Sequence, residues 1–368
     1  MRVFLAATGV ASLVVFFACG GAQPPPAQLQ GLASDPLSTP ADSAAVNLTP
    51  APGPSGSAGA PTGGAAATPP STPGGVSILA RDQHAPNAVA LGKAHVYWVD
   101  ELDGDIARVT KTGGTTMQVY AGTGQPFSAN SSIATDDTDI YWTSQIDKTS
   151  SLTRQDRNGG KPTVVTSSSQ FAIQCVAVDE TAMYWVLGGG VIKQNKHGGA
   201  PQALAGGFKG ADCIAVDGDH VYWSVSGSPD KQFADGAIIE STKTGANTRV
   251  LVKDAAHAEN VHADGESVYW MSGPKVLRAD KKTGETKKLA EASGPVADIA
   301  IDDHYVYFLT PDALARAPKD GSGHGETLAD GLSRPTSVIA DATAVYFTTK
   351  GTEAGKWHDG TVGRWEKH

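Results

Sequence analysis

The sequence is poor in several things at once. It holds three cysteines, four methionines and 7% aromatic residues in 368. Its apolar N-terminal run, Val3 to Ala18, falls short of the ~20 residues that a membrane-spanning helix needs. Cys-x-x-Cys, His-Glu-x-x-His, Gly-x-Ser-x-Gly and Walker-type spacings do not occur. The usual sequence warrants for redox, zinc-hydrolase, serine-hydrolase and nucleotide chemistry are therefore missing. Between Pro24 and Pro73 there is no Phe, Trp, Tyr, Lys or Arg, yet 12 of the 22 prolines lie there. Such a stretch cannot bury enough apolar surface to offset the entropy of ordering it. Positive charge is also short: the net charge is −9, which disfavours nucleic acid and anionic lipid as partners.

What is present is a repeat. An aliphatic residue (Met183 in repeat three), then Tyr, then Trp or Phe recurs around Tyr97, Tyr141, Tyr184, Tyr222, Tyr269, Tyr307 and Tyr346, at intervals of 44, 43, 38, 47, 38 and 39 residues. That is the period of a four-stranded propeller blade. Before each doublet runs a short apolar strand closed by a turn residue: Asp136, Asp179, Asp217, Asp264, Asp302 and Asp341, with Gly92 in the first repeat. After it comes a third strand whose aliphatic residue is followed two and five places later by basic residues, as in Ile106, Arg108 and Lys111; Glu240 breaks the first of these once. A fourth strand follows in six repeats. The seventh reaches His368 without one, while Val76 to Ala80, with no doublet before it, has the pattern of a fourth strand. The expected fold is all-β, a seven-bladed β-propeller over residues 76–368 with split-blade closure, which covers sheet edges that would otherwise invite aggregation.

Arg2 followed by the apolar run to Ala18 reads as a secretory signal peptide over residues 1–18. Phe16-Phe17-Ala18-Cys19 resembles a bacterial lipobox, in which cleavage before the cysteine leaves a thiol that carries diacylglycerol. Phe16 and Phe17 stand where lipoboxes carry Leu and a small residue, and a plain signal peptide with an incidental cysteine is the alternative. The resemblance implies lipidation of Cys19 and a cell-envelope protein held to the membrane through its lipid anchor. Gly20 is not the Asp associated with inner-membrane retention, which favours the outer membrane. Residues 19–75 then form a disordered Pro/Ala/Gly/Ser tether.

The doublets and Asp-terminated strands resemble YWTD-type, TolB-like and NHL-like propellers. Only Asp100 supplies the acid of the YWTD motif, and Tyr141-Trp142-Thr143 keeps its Thr. The resemblance implies architecture and carries no receptor function.

Chemistry can sit in three places. The repeated Asp and Lys/Arg positions fall mostly on one face, where turn capping and exposed ion pairs are the expected use. On the opposite face, repeats four and seven take 15 residues from the doublet aromatic to the third strand, against 6 to 10 elsewhere. Their insertions carry Lys231 and Phe233, and Trp357, His358 and Asp359, residue types suited to recognition on loops of a rigid scaffold. The alternative is that Phe233 and Trp357 fold back over the blade edge. Third, the residues preceding the inner strands, Ala88, Ser132, Cys175, Cys213, Asn260, Asp298 and Ser337, should ring one mouth of the central channel, with Asn87, Gln174, Asp212 and Glu259 beside them. Asn260 and Asp298 are ligand-binding candidates there. Cys175 and Cys213 occupy equivalent places on adjacent blades, and a disulfide requires their Cα atoms to approach within ~4.4 to 6.8 Å. His257 and His262 could act as an acid–base or metal pair at the same mouth. Asp103-Gly104-Asp105 hints at calcium but reads more simply as a turn.

The expected function is non-catalytic binding of a protein, glycan or small-molecule ligand through the loop-rich face, with no cofactor. A divalent metal such as calcium in the channel is the alternative: a metal-dependent lactonase- or lyase-like propeller with Asp212, Glu259, Asn260 and Asp298 as ligands. A structural spacer is the third reading.

Overall fold

The computed structural model describes residues 75–128 and 130–368. The leader, Cys19 and nearly all of the tether lie outside the described residues. Twenty-eight strands form seven four-stranded antiparallel sheets. Six sheets take their strands in chain order. The seventh runs Val76–Gln83, Gly360–Glu366, Ala344–Thr349, Pro335–Ala340, so the N-terminal strand fills the fourth position of the last blade. The fold is the seven-bladed, split-blade propeller that the repeat predicts. Numbering blades 1 to 7 along the chain, blade 1 starts at Pro86 and blade 7 at Pro335.

Period-two alternation along a strand sends the two members of each doublet to opposite sides of the sheet. Tyr97 of blade 1 packs against Trp142 of blade 2, and Tyr184 of blade 3 against Trp223 of blade 4. The ring closes with Tyr346 of blade 7 on Trp98 of blade 1. There are seven such cores, one per blade junction. All seven tyrosines are at most 2% exposed, and burying each aromatic contributes about 1.5–3 kcal/mol.

Ion pairs on one face cross the same junctions. The lysine after the third strand of one blade reaches the turn aspartate of the blade before it: Lys196 to Asp136 at 2.5 Å, Lys243 to Asp179 at 2.7 Å, Lys281 to Asp217 at 2.5 Å, Lys367 to Asp302 at 2.6 Å and Lys111 to Asp341 at 2.8 Å, with Lys319 on Asp264 completing six. Each aspartate also caps its own turn where the pattern is complete. One oxygen of Asp136 accepts the Thr138 and Asp139 N–H groups at 2.7 and 2.8 Å, and the other accepts the Tyr141 hydroxyl at 3.1 Å. Capping and ion pairing were the expected uses of these residues, but the pairs were expected to be exposed and are not. The pairs bridge blades and are mostly covered, Lys196 and Asp136 side chains being 9% and 19% exposed. Burial alone would raise these carboxyls. The lysine and the turn donors outweigh it and hold Asp302 and Asp341 at about 2.

Third-strand bases fasten the other way. Arg154 donates to the Lys196 carbonyl at 2.7 Å, Lys193 to that of Lys243 at 2.9 Å and Arg278 to that of Lys319 at 3.0 Å. The Glu240 exception is compensated: Arg249 of the neighbouring strand pairs with Glu240 at 2.6 Å and donates to the Lys281 carbonyl at 2.7 Å.

Candidate functional site

The inner strands surround a channel whose loop-face mouth opens into a cavity of about 500 Å³. All seven predicted ring residues line it, joined by Asn87, Gln174 and Asp212; Glu259 does not. The ladder register shifts beside the ring position in five blades, at Ala88, Cys175, Cys213, Asn260 and Ser337. Such bulges re-aim a side chain out of the regular alternation. Cys175 and Asn260 take φ of 39° and 47° there.

The ring side chains mostly stitch one blade to the next. Ser132 Oγ accepts the Val176 N–H at 3.1 Å and Ser337 Oγ accepts that of Val89 at 3.3 Å. Asp212 accepts the Asn260 N–H at 3.2 Å. Asp298 is saturated: its carboxylate accepts the N–H groups of Ile299 at 2.8 Å and Val338 at 2.7 Å, the Ser337 hydroxyl at 2.8 Å and the Asn260 amide. Burial pushes Asp298 up to about 6 against these donors. Asp298 and the Asn260 amide nitrogen, expected as ligand-binding groups, thus spend hydrogen bonds on the fold: the bulge at Asn260 turns its amide toward blade 6, and Asp298, in a regular ladder, reaches the backbone of blade 7.

Cys175 and Cys213 form a disulfide with their Cα atoms 5.0 Å apart. The bulges at both positions bring the equal-phase side chains close enough to join. The bridge lies in the channel wall between blades 3 and 4, where five other junctions use a hydrogen bond.

The predicted histidine pair is not assembled. His262 sits in the channel wall, where burial lowers it to about 4. His257 lies on the exposed 4-to-5 crossover, its ring centroid 3.9 Å from that of Phe233. Asp212 and Glu259 are both raised, chiefly by burial, and Glu259 additionally by the Asp212 charge. The second Asp212 oxygen has no partner among the described residues. No group of three or more His, Cys, Asp or Glu among the described residues is placed to hold a metal ion. The four-residue ligand set expected from the sequence is therefore not gathered around one point. Asp103-Gly104-Asp105 is a working turn: Asp103 pairs with His84, and Asp105 accepts the Gly122 N–H at 2.6 Å.

The two insertions turn out to be one loop used twice. Gly227 to Gly236 and Gly351 to Gly360 have equal length and matching ends. In the first, Asp235 accepts the Ser228 N–H at 2.7 Å and its hydroxyl at 2.9 Å. In the second, Asp359 accepts the Thr352 N–H at 2.7 Å and its hydroxyl at 2.6 Å. Phe233 N–H donates back to the Ser228 carbonyl at 2.9 Å, and Trp357 N–H to that of Thr352 at 3.0 Å. Both aromatics follow a left-handed residue and are left-handed themselves: Gln232 and Phe233 at φ 53° and 61°, Lys356 and Trp357 at 52° and 63°. Gly227 and Gly351 are required by position, since a Cβ on either would meet the closing aspartate within 3.0 Å. The spacing Gly-[Ser/Thr]-x6-Asp-Gly was legible in the sequence and was not among the readings above.

Both aromatics fold back and remain half-exposed. Phe233 rests on His257, and Trp357 lies under the Arg334 guanidinium at 4.8 Å and Lys350 at 5.9 Å. His358 is exposed and meets His84 edge-on at 4.4 Å. Lys231 is exposed and pairs with Asp235 at 3.2 Å. Asp359 closes its loop rather than presenting a free carboxylate, and the Thr352 donors hold it below the usual range.

No protein-family model matches the chain, and no curated protein does. Solved structures do. Virginiamycin B lyase from Staphylococcus aureus superposes with a TM-score of 0.60 at 11% identity, over 78% of this chain and 98% of that one. A streptogramin B lyase gives 0.60 at 12% identity, over 78% and 96%. YCF48 bound to a D1 peptide gives 0.58 at 10% identity, over 80% and 96%. At such identities the likeness is one of fold, and the chain takes its place among β-propellers.

Proposed function

We propose that this is an exported lipoprotein, anchored in the cell envelope through Cys19, whose propeller binds a ligand at its loop face without catalysis. One observation carries the reading: two insertions of identical geometry stand on the face where the polar cavity opens. A second supports it. Fourth strands end at the loop face, so Val76–Gln83 begins at the opposite, ion-paired face and the preceding chain joins there. A domain held through residues 19–75 would then leave its loop face free. The doublets support kinship with YWTD-, TolB- and NHL-like propellers at the level of architecture. The acidic balance supports a partner other than nucleic acid.

The test is crosslinking capture from intact cells with wild-type, Phe233→Ala and Trp357→Ala proteins. Both substitutions should weaken capture while leaving the melting temperature within a few kelvin; unchanged capture with a large stability loss overturns the site. Cys19→Ala should move the protein from the membrane to the soluble envelope fraction, and continued membrane retention overturns the anchor.

A lyase- or lactonase-like reading draws on the two lyases of similar fold and on Asp212, whose free oxygen lines the cavity. Metal analysis of the purified protein, with melting in the presence of calcium, decides it: neither bound metal nor a shift removes the metal-dependent form. Capture of no specific partner by any variant would favour the structural spacer.

A further inference from the structure

We propose that the loop face takes an extended, uncharged carbohydrate chain, laid across the channel mouth and held at two sides by the twin loops of blades 4 and 7. This rests on the reading of the loop face as the binding face and names its ligand class.

Three independent features converge on it. The first is placement. Blades 4 and 7 are three steps apart in a ring of seven, so the loops stand about 150° from one another around the channel axis. Two like grips on opposite sides of an opening suit a ligand that presents like units at both, which is the chemistry of a polymer.

The second is strain at matching points. A large aromatic at positive φ is an uncommon and costly conformation. It occurs in both loops at the same place, fixed by the same carboxylate closure. Each ring has one side against a polar neighbour and remains half-exposed. Such a platform offers an apolar surface beside hydrogen-bonding groups, the combination presented by the C–H face and hydroxyls of a pyranose ring.

The third is charge. The cavity lining contains no lysine or arginine. It offers the amides of Asn130 and Gln174, which both donate and accept as sugar hydroxyls do, and the free oxygen of Asp212, which accepts from them. Each loop carries acid and base together, Asp230 with Lys231 and Glu353 with Lys356, so neither presents a field of one sign. A polyanion would find no cationic groove here, and a basic peptide no acidic one.

The experiment is calorimetry of the described domain within the full chain, against neutral linear oligosaccharides from disaccharide to octasaccharide in several sugars and linkages, with their monosaccharides. Affinity for at least one series should rise about tenfold once the chain is long enough to reach both loops. Phe233→Ala and Trp357→Ala should each cancel that gain, so that long chains bind no more tightly than short ones. Phe233→Tyr and Trp357→Tyr, which keep an aromatic platform, should retain most of it and guard against a folding artefact. Binding of no neutral series, or binding independent of chain length, overturns the proposal. If capture from cells depends on Phe233 and Trp357 while no oligosaccharide binds, the carbohydrate class falls and the loop-face reading stands. If capture ignores both residues, the two fall together.

Discussion

The junction between blades 1 and 2 differs from the other six. Elsewhere an apolar core is reinforced by a lysine–aspartate bridge on one face and, at the channel, by a side chain stitched to the next blade. At the 1/2 junction, among the described residues, the covered bridge and the channel stitch are both missing: Gly92 stands in place of the aspartate, Arg157 in place of the lysine and Ala88 in place of a polar ring residue, and only the exposed Lys93–Asp137 pair crosses on that face, at 2.6 Å. The losses are matched on the two blades, so the bridge behaves as a unit that is kept or dropped whole. The junction instead draws a residue from its long crossover into the core, Phe127, which packs with Tyr97 and Trp142. Gln155 donates to the Val119 carbonyl at 2.9 Å, Arg108 to that of Arg157 at 2.6 Å and Asn87 to that of Ser128 at 3.3 Å. Apolar packing can therefore hold a blade pair without the ionic ring, and the ring adds to packing rather than substituting for it.

Four predictions would break or sharpen that contrast. Phe127→Ala should cost about 3 kcal/mol in denaturant unfolding and speed amide exchange in the strands Met117–Tyr120 and Ile133–Thr135 before the rest; uniform exchange would show that the junction has no independent weakness. Lys281→Met, which strands the Asp217 carboxylate in a mostly covered site, should cost about 2 kcal/mol, whereas breaking the exposed Lys93–Asp137 pair should cost under about 0.5 kcal/mol. Equal losses from the two would erase the distinction between covered and exposed bridges.

The third prediction concerns pH and two opposite signs. Bridge aspartates held at about 2, such as Asp302 and Asp341, stabilise the fold above about pH 4 and lose that contribution as pH falls through about 2. Asp100 is the reverse. It is 7% exposed, and burial pushes it up to about 7 although it accepts the Trp98 indole N–H at 3.3 Å. Folded Asp100 holds its proton more tightly than unfolded, so its contribution declines as pH rises from about 4 to about 7. Asp100→Asn keeps an acceptor for Trp98; it should raise stability by on the order of 1 kcal/mol above pH 8 and leave it unchanged near pH 4. A difference independent of pH would refute the assignment. The smallest effect belongs to Gly92→Asp with Arg157→Lys, which installs the seventh bridge. A gain of up to about 1 kcal/mol is expected, provided Tyr97, 3.1 Å from the new Cβ, gives way slightly.

The fold was legible because it is written in a doublet. Strand alternation sends Tyr one way and Trp or Phe the other, seven times over, and no later feature of the chain contradicts that pattern. Glu240 looked like a break in the basic series and is in fact one half of a compensated pair with Arg249, a relation between two strands that a reading of one strand misses. The ring residues were placed correctly and their work was not. Bulges rotate five of them out of simple alternation, and Asp298, which looked available, takes donors from blades 5, 6 and 7 that lie far apart in sequence and is the best-satisfied carboxylate in the channel. His257 and His262 are close in sequence yet occupy a crossover and a channel wall, because the chain turns into a strand between them. The twin loops, by contrast, were visible as a shared ten-residue pattern and lacked only the comparison of one insertion with the other.

The position of the strand Val76–Gln83 has a mechanical consequence. It lies antiparallel along Gly360–Glu366, with Val76 opposite Trp365 and Gln83 opposite Gly360. A pull on residue 75 acts along this strand's length, so the cross-strand hydrogen bonds bear the force together in shear and cannot be peeled off singly. Under the proposed anchoring through residues 19–75, a load arriving from the loop face would pass through the last blade, and the split blade would serve as a clasp as well as a closure.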